Sequence, residues 1–288
     1  MRIKIPLVIF MIFSVASIFS QKASEIYLFD LVLTETSYEL NNPINISNNP
    51  GYDNQPAFTL DGESILFTSF RDNQADIALY DISLNYRKWL TETPENEISP
   101  LPYPDKKKWF TAAKSDSLGD QKVFQYSYKP KTPKPLLTEN EIIYYDWYDR
   151  YNMICFIAGD VDALYIKNFK YDILYPIQQK VGRSFQRIPG TDLIGFINYD
   201  HEVPEIYSIQ PKTNKMTYIV DALEGSEDLA FTNNGTIFMA KGNQVFKFRP
   251  EQDKDWIPVI INSETEFKGI TRIAISPDGN KLALVAEE

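Results

Sequence analysis

Six copies of one hairpin signature constrain this chain more than any other feature. In the stretch AFTLDGESILF, Phe58 and Thr59 lead into an Asp61-Gly62 turn, and the apolar run Ile65-Leu66-Phe67 leads out of it. The pattern reads as strand, tight turn, strand, because Asp-Gly supplies the positive φ that a short hairpin loop needs. The same shape returns around Asp105, Asp149, Gly190, Asn234-Gly235 and Asp278-Gly279. Anchored at 61, 105, 149, 190, 234 and 278, the copies stand 44, 44, 41, 44 and 44 residues apart. A period of about 40–45 residues is the length of one four-stranded blade of a β-propeller.

A second marker, an aliphatic residue followed by an aromatic, keeps phase with the first. It occurs at Leu79-Tyr80, Val123-Phe124, Leu164-Tyr165, Ile206-Tyr207 and Val245-Phe246, after each of the first five hairpins. After the sixth hairpin there is only the run Leu282-Ala283-Leu284-Val285, and the missing marker stands near the start of the chain as Ile26-Tyr27. N-terminal residues are therefore expected to supply the outer strands of the last blade. The prediction is an all-β, six-bladed propeller whose last blade is closed by N-terminal strands, which removes the open sheet edges that invite aggregation. The unbroken repeat predicts one domain over residues 21–288. Lys129 to Pro135 falls between a third and a fourth strand and reads as a surface turn.

Residues 1–20 belong to another class of sequence. Arg2 and Lys4 precede the apolar run from Pro6 to Phe19, and Ser20 stands before Gln21. This reads as a cleavable signal peptide, since the run is shorter than the ~20 residues of a membrane-spanning helix. The single cysteine, Cys155, lies in the apolar run Met153 to Ile157, so neither a lipid-anchoring cysteine nor an internal disulfide is expected, and a buried thiol is. The expected location is the periplasm or the cell exterior. Formal charge is −10, or −12 without Arg2 and Lys4, which disfavours nucleic acid and anionic membranes as partners. A monomer without an integral membrane segment after cleavage is expected.

The stretches NQPAFTLDGESILFTSFRDNQADIALYDI, Asn54 to Ile82, and ITRIAISPDGNKLALVAEE, Ile270 to Glu288, resemble the WD-like repeats of the TolB-like six-bladed β-propellers. In the other blades the resemblance rests on spacing. It implies an exported or periplasmic bacterial protein that binds other proteins or small ligands. TolB itself carries an α/β domain before its propeller. Gln21 to Asn54 is too short for one, so the resemblance is to the propeller part alone. Related propellers fused to peptidases keep the catalytic serine in a separate α/β-hydrolase domain, and no G-x-S-x-G elbow occurs here.

Catalytic chemistry finds few candidates. The single histidine, His201, lies in the polar stretch Asn198 to Glu202 and reads as a solvated loop residue, which excludes His-based triads and His-rich metal centres. Thirty-nine Asp and Glu residues leave room for a carboxylate pair of the kind that hydrolyses glycosides. Asp160 with Asp162, and Asp72 with Asp76, lack the Gly and terminal Glu of a complete calcium loop, so no metal and no cofactor are expected. The aromatic group Tyr144, Tyr145, Trp147, Tyr148 and Tyr151 is expected mainly to pack between blades.

Repeat topology places a partner more sharply. Aligning the hairpins brings Asn54, Glu97, Glu141, Arg183, Glu227 and Arg272 to the start of the six inner strands, within about a residue, as a polar ring at the mouth of the central channel. Loops on the same face contain Arg71-Asp72-Asn73, Asp116 to Asp120, Gly159 to Asp162 and Asp200 to Glu202, an acidic rim. The function this predicts is a non-catalytic binding module for a protein or peptide. The alternative is a carbohydrate-binding or carboxylate-based glycan-acting protein with its site at the same mouth. Neutralised Glu–Arg pairs favour the first, and unpaired carboxylates beside an exposed aromatic favour the second.

Overall fold

The computed structural model describes residues 22–35, 37–71, 74–115, 121–137 and 142–287. The leader over 1–20, Asp72, the rim segment Asp116 to Asp120 and the mouth candidate Glu141 lie outside them. Six antiparallel sheets form six blades, and each of the six turns anchored in the sequence joins the first two strands of one blade. Blade 1 consists of Asp53–Phe58, Ser64–Arg71, Gln74–Asp81 and Tyr86–Trp89. Blades 2 to 5 repeat this order, their first strands being Asn96–Pro102, Ile142–Asp149, Val181–Arg187 and Leu229–Phe231.

Blade 6 joins the two ends of the described chain. Lys268–Ile275 and Lys281–Glu287 form its inner hairpin, and Ser24–Leu33 and Tyr38–Asn45 its outer strands. Ser24 pairs with Glu287 and the ladder runs unbroken to Asp30 opposite Lys281. Lys281 Nζ donates to Asp30 at 2.7 Å, and Lys22 Nζ to Glu287 at 2.8 Å. Ile260–Ile261 adds a short parallel strand to the outer edge.

The core lies in the seams between blades. Second strands are buried on both faces and send alternate residues to opposite seams. In blade 1, Ile65 and Phe67 pack with Ile26 and Val285 of blade 6, whereas Leu66 packs with Phe110 and Tyr126 of blade 2. The third strands carry the aliphatic–aromatic marker. By cross-strand register the blade 1 equivalent of Ile26-Tyr27 is Ile77-Ala78, with Leu79-Tyr80 one pleat further on.

Polar networks recur in two successive seams. Between blades 6 and 1, the Ser47 hydroxyl accepts the Ile26 N–H at 2.9 Å and donates to Glu25, whose other oxygen accepts the Asn49 N–H at 3.1 Å. Asn49 Nδ2 then reaches Asp53 at 3.4 Å. Between blades 1 and 2, the Thr91 hydroxyl accepts the Ile77 N–H at 2.8 Å and donates to Asp76 at 3.2 Å. Asp76 accepts the Thr93 N–H at 3.3 Å, and the Thr93 hydroxyl donates to Glu97. Both networks tie a third strand to the next blade's first strand. Asp53 and Glu97 are 0% exposed, and each keeps one carboxylate oxygen without a hydrogen-bond partner. Burial pushes both acids up to about 7, the neighbouring Glu25 and Asp76 adding to the effect, while Asn49 and Ser69, and Thr93 and Lys114, oppose it.

Candidate functional site

The inner strands break register near the mouth of the channel. Shifts fall between Asn54 and Ala57, Ile98 and Leu101, Ile142 and Tyr144, Val181 and Phe185, and Lys268 and Arg272. In blades 1 and 2 the shift contains a residue in the left-handed region, Gln55 at φ 57° and Ser99 at φ 55°, each followed by a proline. Such bulges re-aim side chains. Counting from the paired residues beyond them brings Gln55, Ser99, Tyr144, Ser184, Asp228 and Arg272 to one level, and all six line the central cavity.

Much of this ring holds the blades to one another. Gln55 Oε1 accepts the Ser99 N–H of blade 2 at 2.9 Å, and Ser99 O accepts the Tyr145 hydroxyl of blade 3 at 2.7 Å. Ser184 Oγ accepts the Leu229 N–H of blade 5 at 3.0 Å, and Asp228 Oδ2 accepts the Ile273 N–H of blade 6 at 2.8 Å. The cavity measures about 350 Å³. Burial raises Asp228 above the ordinary carboxylate range, with Arg272, the Ile273 N–H and Arg183 opposing. Asp146 lines the cavity two positions deeper, and burial pushes it up to about 7 against the backbone N–H groups of Trp147 and Arg187.

Two guanidinium groups stand at the mouth. Arg272 lies 3.6 Å from Asp228 Oδ1 and 5.7 Å from the centre of the Tyr144 ring. Arg183 lies 3.1 Å from Glu227, and its Nε is buried without a hydrogen-bond partner. Both arginines oppose the rise that burial imposes on the Tyr52 hydroxyl.

The structure therefore brings together Arg183, Glu227 and Arg272 from the expected ring. Asn54 stands at the expected strand start but is buried, its Oδ1 accepting the Gln55 N–H at 2.7 Å. Glu97 faces the seam between blades 1 and 2 and not the cavity, because the pleat alternates and its carboxylate is held by Thr93. Asp228, Gln55, Ser99, Ser184 and Asp146 were not among the expected residues. The Gln55-Pro56 and Ser99-Pro100 pairs carry a phase signal that would have found the level. Of the aromatic group, Tyr145 and Trp147 pack between blades 2 and 3, Tyr144 lines the cavity, and Tyr151 is exposed. His201 is exposed, 3.5 Å from Glu205, and Cys155 is buried. Among the described residues no three His, Cys, Asp or Glu side chains converge as a metal site.

No protein-family model matches this sequence, and no curated protein does. Solved structures do match. A protein provisionally named TolB from Agrobacterium tumefaciens superposes with a TM-score of 0.70 at 11% identity, over 93% of this chain and 99% of that one. TolB from Acinetobacter baumannii gives 0.58 at 16% identity, over 92% of this chain and 64% of that one, so this chain spans less than two thirds of its length. A chain of the nidogen/laminin complex gives 0.61 at 8% identity, over 82% of this chain and 93% of that one. At these identities the likeness is one of fold: the chain is a six-bladed propeller matching TolB propeller domains.

Proposed function

We propose that this chain is an exported, non-catalytic binding module that takes a protein or peptide partner at the mouth of its channel. The observation that carries this reading is the mouth itself, where Arg183 with Glu227 and Arg272 with Asp228 stand over a cavity of about 350 Å³. Carboxylates flanked by guanidinium groups, one of them also held by a backbone N–H, are suited to recognition more than to proton transfer. Inner strands joined by hydrogen bonds at four of the six blade junctions supply the rigid frame that recognition needs. One chain of similar fold comes from a complex of two proteins, nidogen and laminin.

The test is affinity capture from an envelope extract of the protein's own source, run beside Glu227→Ala. Glu227 is 61% exposed, so its loss is expected to leave the fold intact and weaken capture. A stoichiometric protein partner that the variant loses supports the reading, and a partner the variant keeps moves the site elsewhere. The glycan-acting alternative draws on Asp146, a raised carboxyl in the cavity with Tyr144; among the described residues the other acid lining that cavity is Asp228, engaged with the Ile273 N–H. Hydrolysis of an oligosaccharide that Asp146→Asn abolishes would replace the first reading with the second.

A further inference from the structure

The acids and arginines at the mouth are not equally engaged. Asp228 accepts the Ile273 N–H, and that bond fixes blade 5 to blade 6. Glu227 has Arg183 beside it. The guanidinium groups, by contrast, approach these carboxylates without filling their donors. Arg272 comes no closer than 3.6 Å to Asp228, beyond hydrogen-bond length, and Arg183 Nε is buried with no acceptor at all. A guanidinium offers five N–H donors in a planar fork and cannot deprotonate, and both arginines line the cavity, so the donors that face it call for an acceptor from outside.

We propose that the channel mouth is a carboxylate clamp, in which Arg183 and Arg272 receive the C-terminal carboxylate of a peptide. This rests on the protein-or-peptide reading above and names the end of the partner that enters. A carboxylate matches the guanidinium fork in shape and brings a single negative charge. A phosphate dianion would meet Glu227 and Asp228 at the same mouth, and the second charge would be repelled. An N-terminal ammonium would stand beside the two guanidinium charges, which repel it. A chain end also suits a cavity at the small end of the range for ligand pockets, because an internal segment would have to enter and double back. Tyr144 lines one wall of the cavity beside Arg272.

The experiment uses fluorescence polarisation with two pools of N-acetylated, dye-labelled tetrapeptides, identical except that one ends in free carboxylates and the other in carboxamides. The carboxylate pool is expected to bind at least tenfold more tightly, with the difference lost in Arg272→Gln and Arg183→Gln. Equal binding of both pools would overturn the clamp and leave the peptide-binding reading standing. Binding of neither pool would overturn both. The wild-type comparison of acid with amide needs no variant, so the result holds even where an arginine substitution fails to fold. Acetate is expected to compete with the carboxylate pool, and displacement by inorganic phosphate at lower concentration than acetate would overturn the assignment of ligand class.

Discussion

Gly195 shows how a missing side chain sets the fit between blades. It lies in the second strand of blade 4, and a Cβ there would meet the Phe231 ring of blade 5 at 2.4 Å and Ile188 at 3.3 Å. Gly195→Ala is expected to destabilise the protein by about 1–3 kcal/mol, because the aromatic ring must shift in a packed seam. Urea unfolding measures this, and an unchanged midpoint would show that the seam is loosely packed. Single residues were unevenly legible in the sequence. Cys155 and His201 stand as expected, one in an apolar run and the other in a polar loop. Glu97 reads as a mouth residue from its position, but which face a strand residue takes depends on a register that an inserted residue shifts. The unpartnered Nε of Arg183 has no signature in sequence, since it depends on what does not reach it.

At the scale of the strand and the seam, the buried acids make a prediction about pH. Asp53 and Glu97 are both raised to about 7, whereas unfolded Asp and Glu titrate near 4. Between these values the folded chain holds protons that the unfolded chain has released, so the contribution of each seam falls as pH rises. It is fully present below about pH 4 and lost as pH passes through 7. Asp53→Asn, which cannot ionise, is therefore expected to gain stability relative to wild type between pH 5 and pH 8, by about 2–3 kcal/mol. Urea midpoints of both proteins at the two pH values measure it, and parallel behaviour would show that Asp53 titrates normally. Turns and third strands were legible because Asp-Gly, Asn-Gly and aliphatic–aromatic pairs have local physical causes. The matched networks of Glu25, Ser47, Asn49 and Asp53 and of Asp76, Thr91, Thr93 and Glu97 were not, because the connection from the acid to its hydroxyl partner differs in length between them.

For the whole ring, the closure between Ser24–Leu33 and Lys281–Glu287 was legible from one displaced marker, Ile26-Tyr27, since a ring of repeats must complete every member. Deleting residues 22–45 would strip both outer strands from blade 6 and expose the edge of Lys281–Glu287. Such a chain is expected to lose its cooperative urea transition and to elute as aggregates on gel filtration, and a sharp monomeric transition would show that five blades suffice. The same closure sets a timetable. Asp30 and Lys281, bonded at 2.7 Å, lie 251 positions apart, so the strand a ribosome makes early must wait for the hairpin it makes late. Contacts so distant along the chain cost loop entropy before they return any stability, which makes them slow to form. The seam between the two ends is thus the latch of the molecule, the last joint to lock when the ring is assembled.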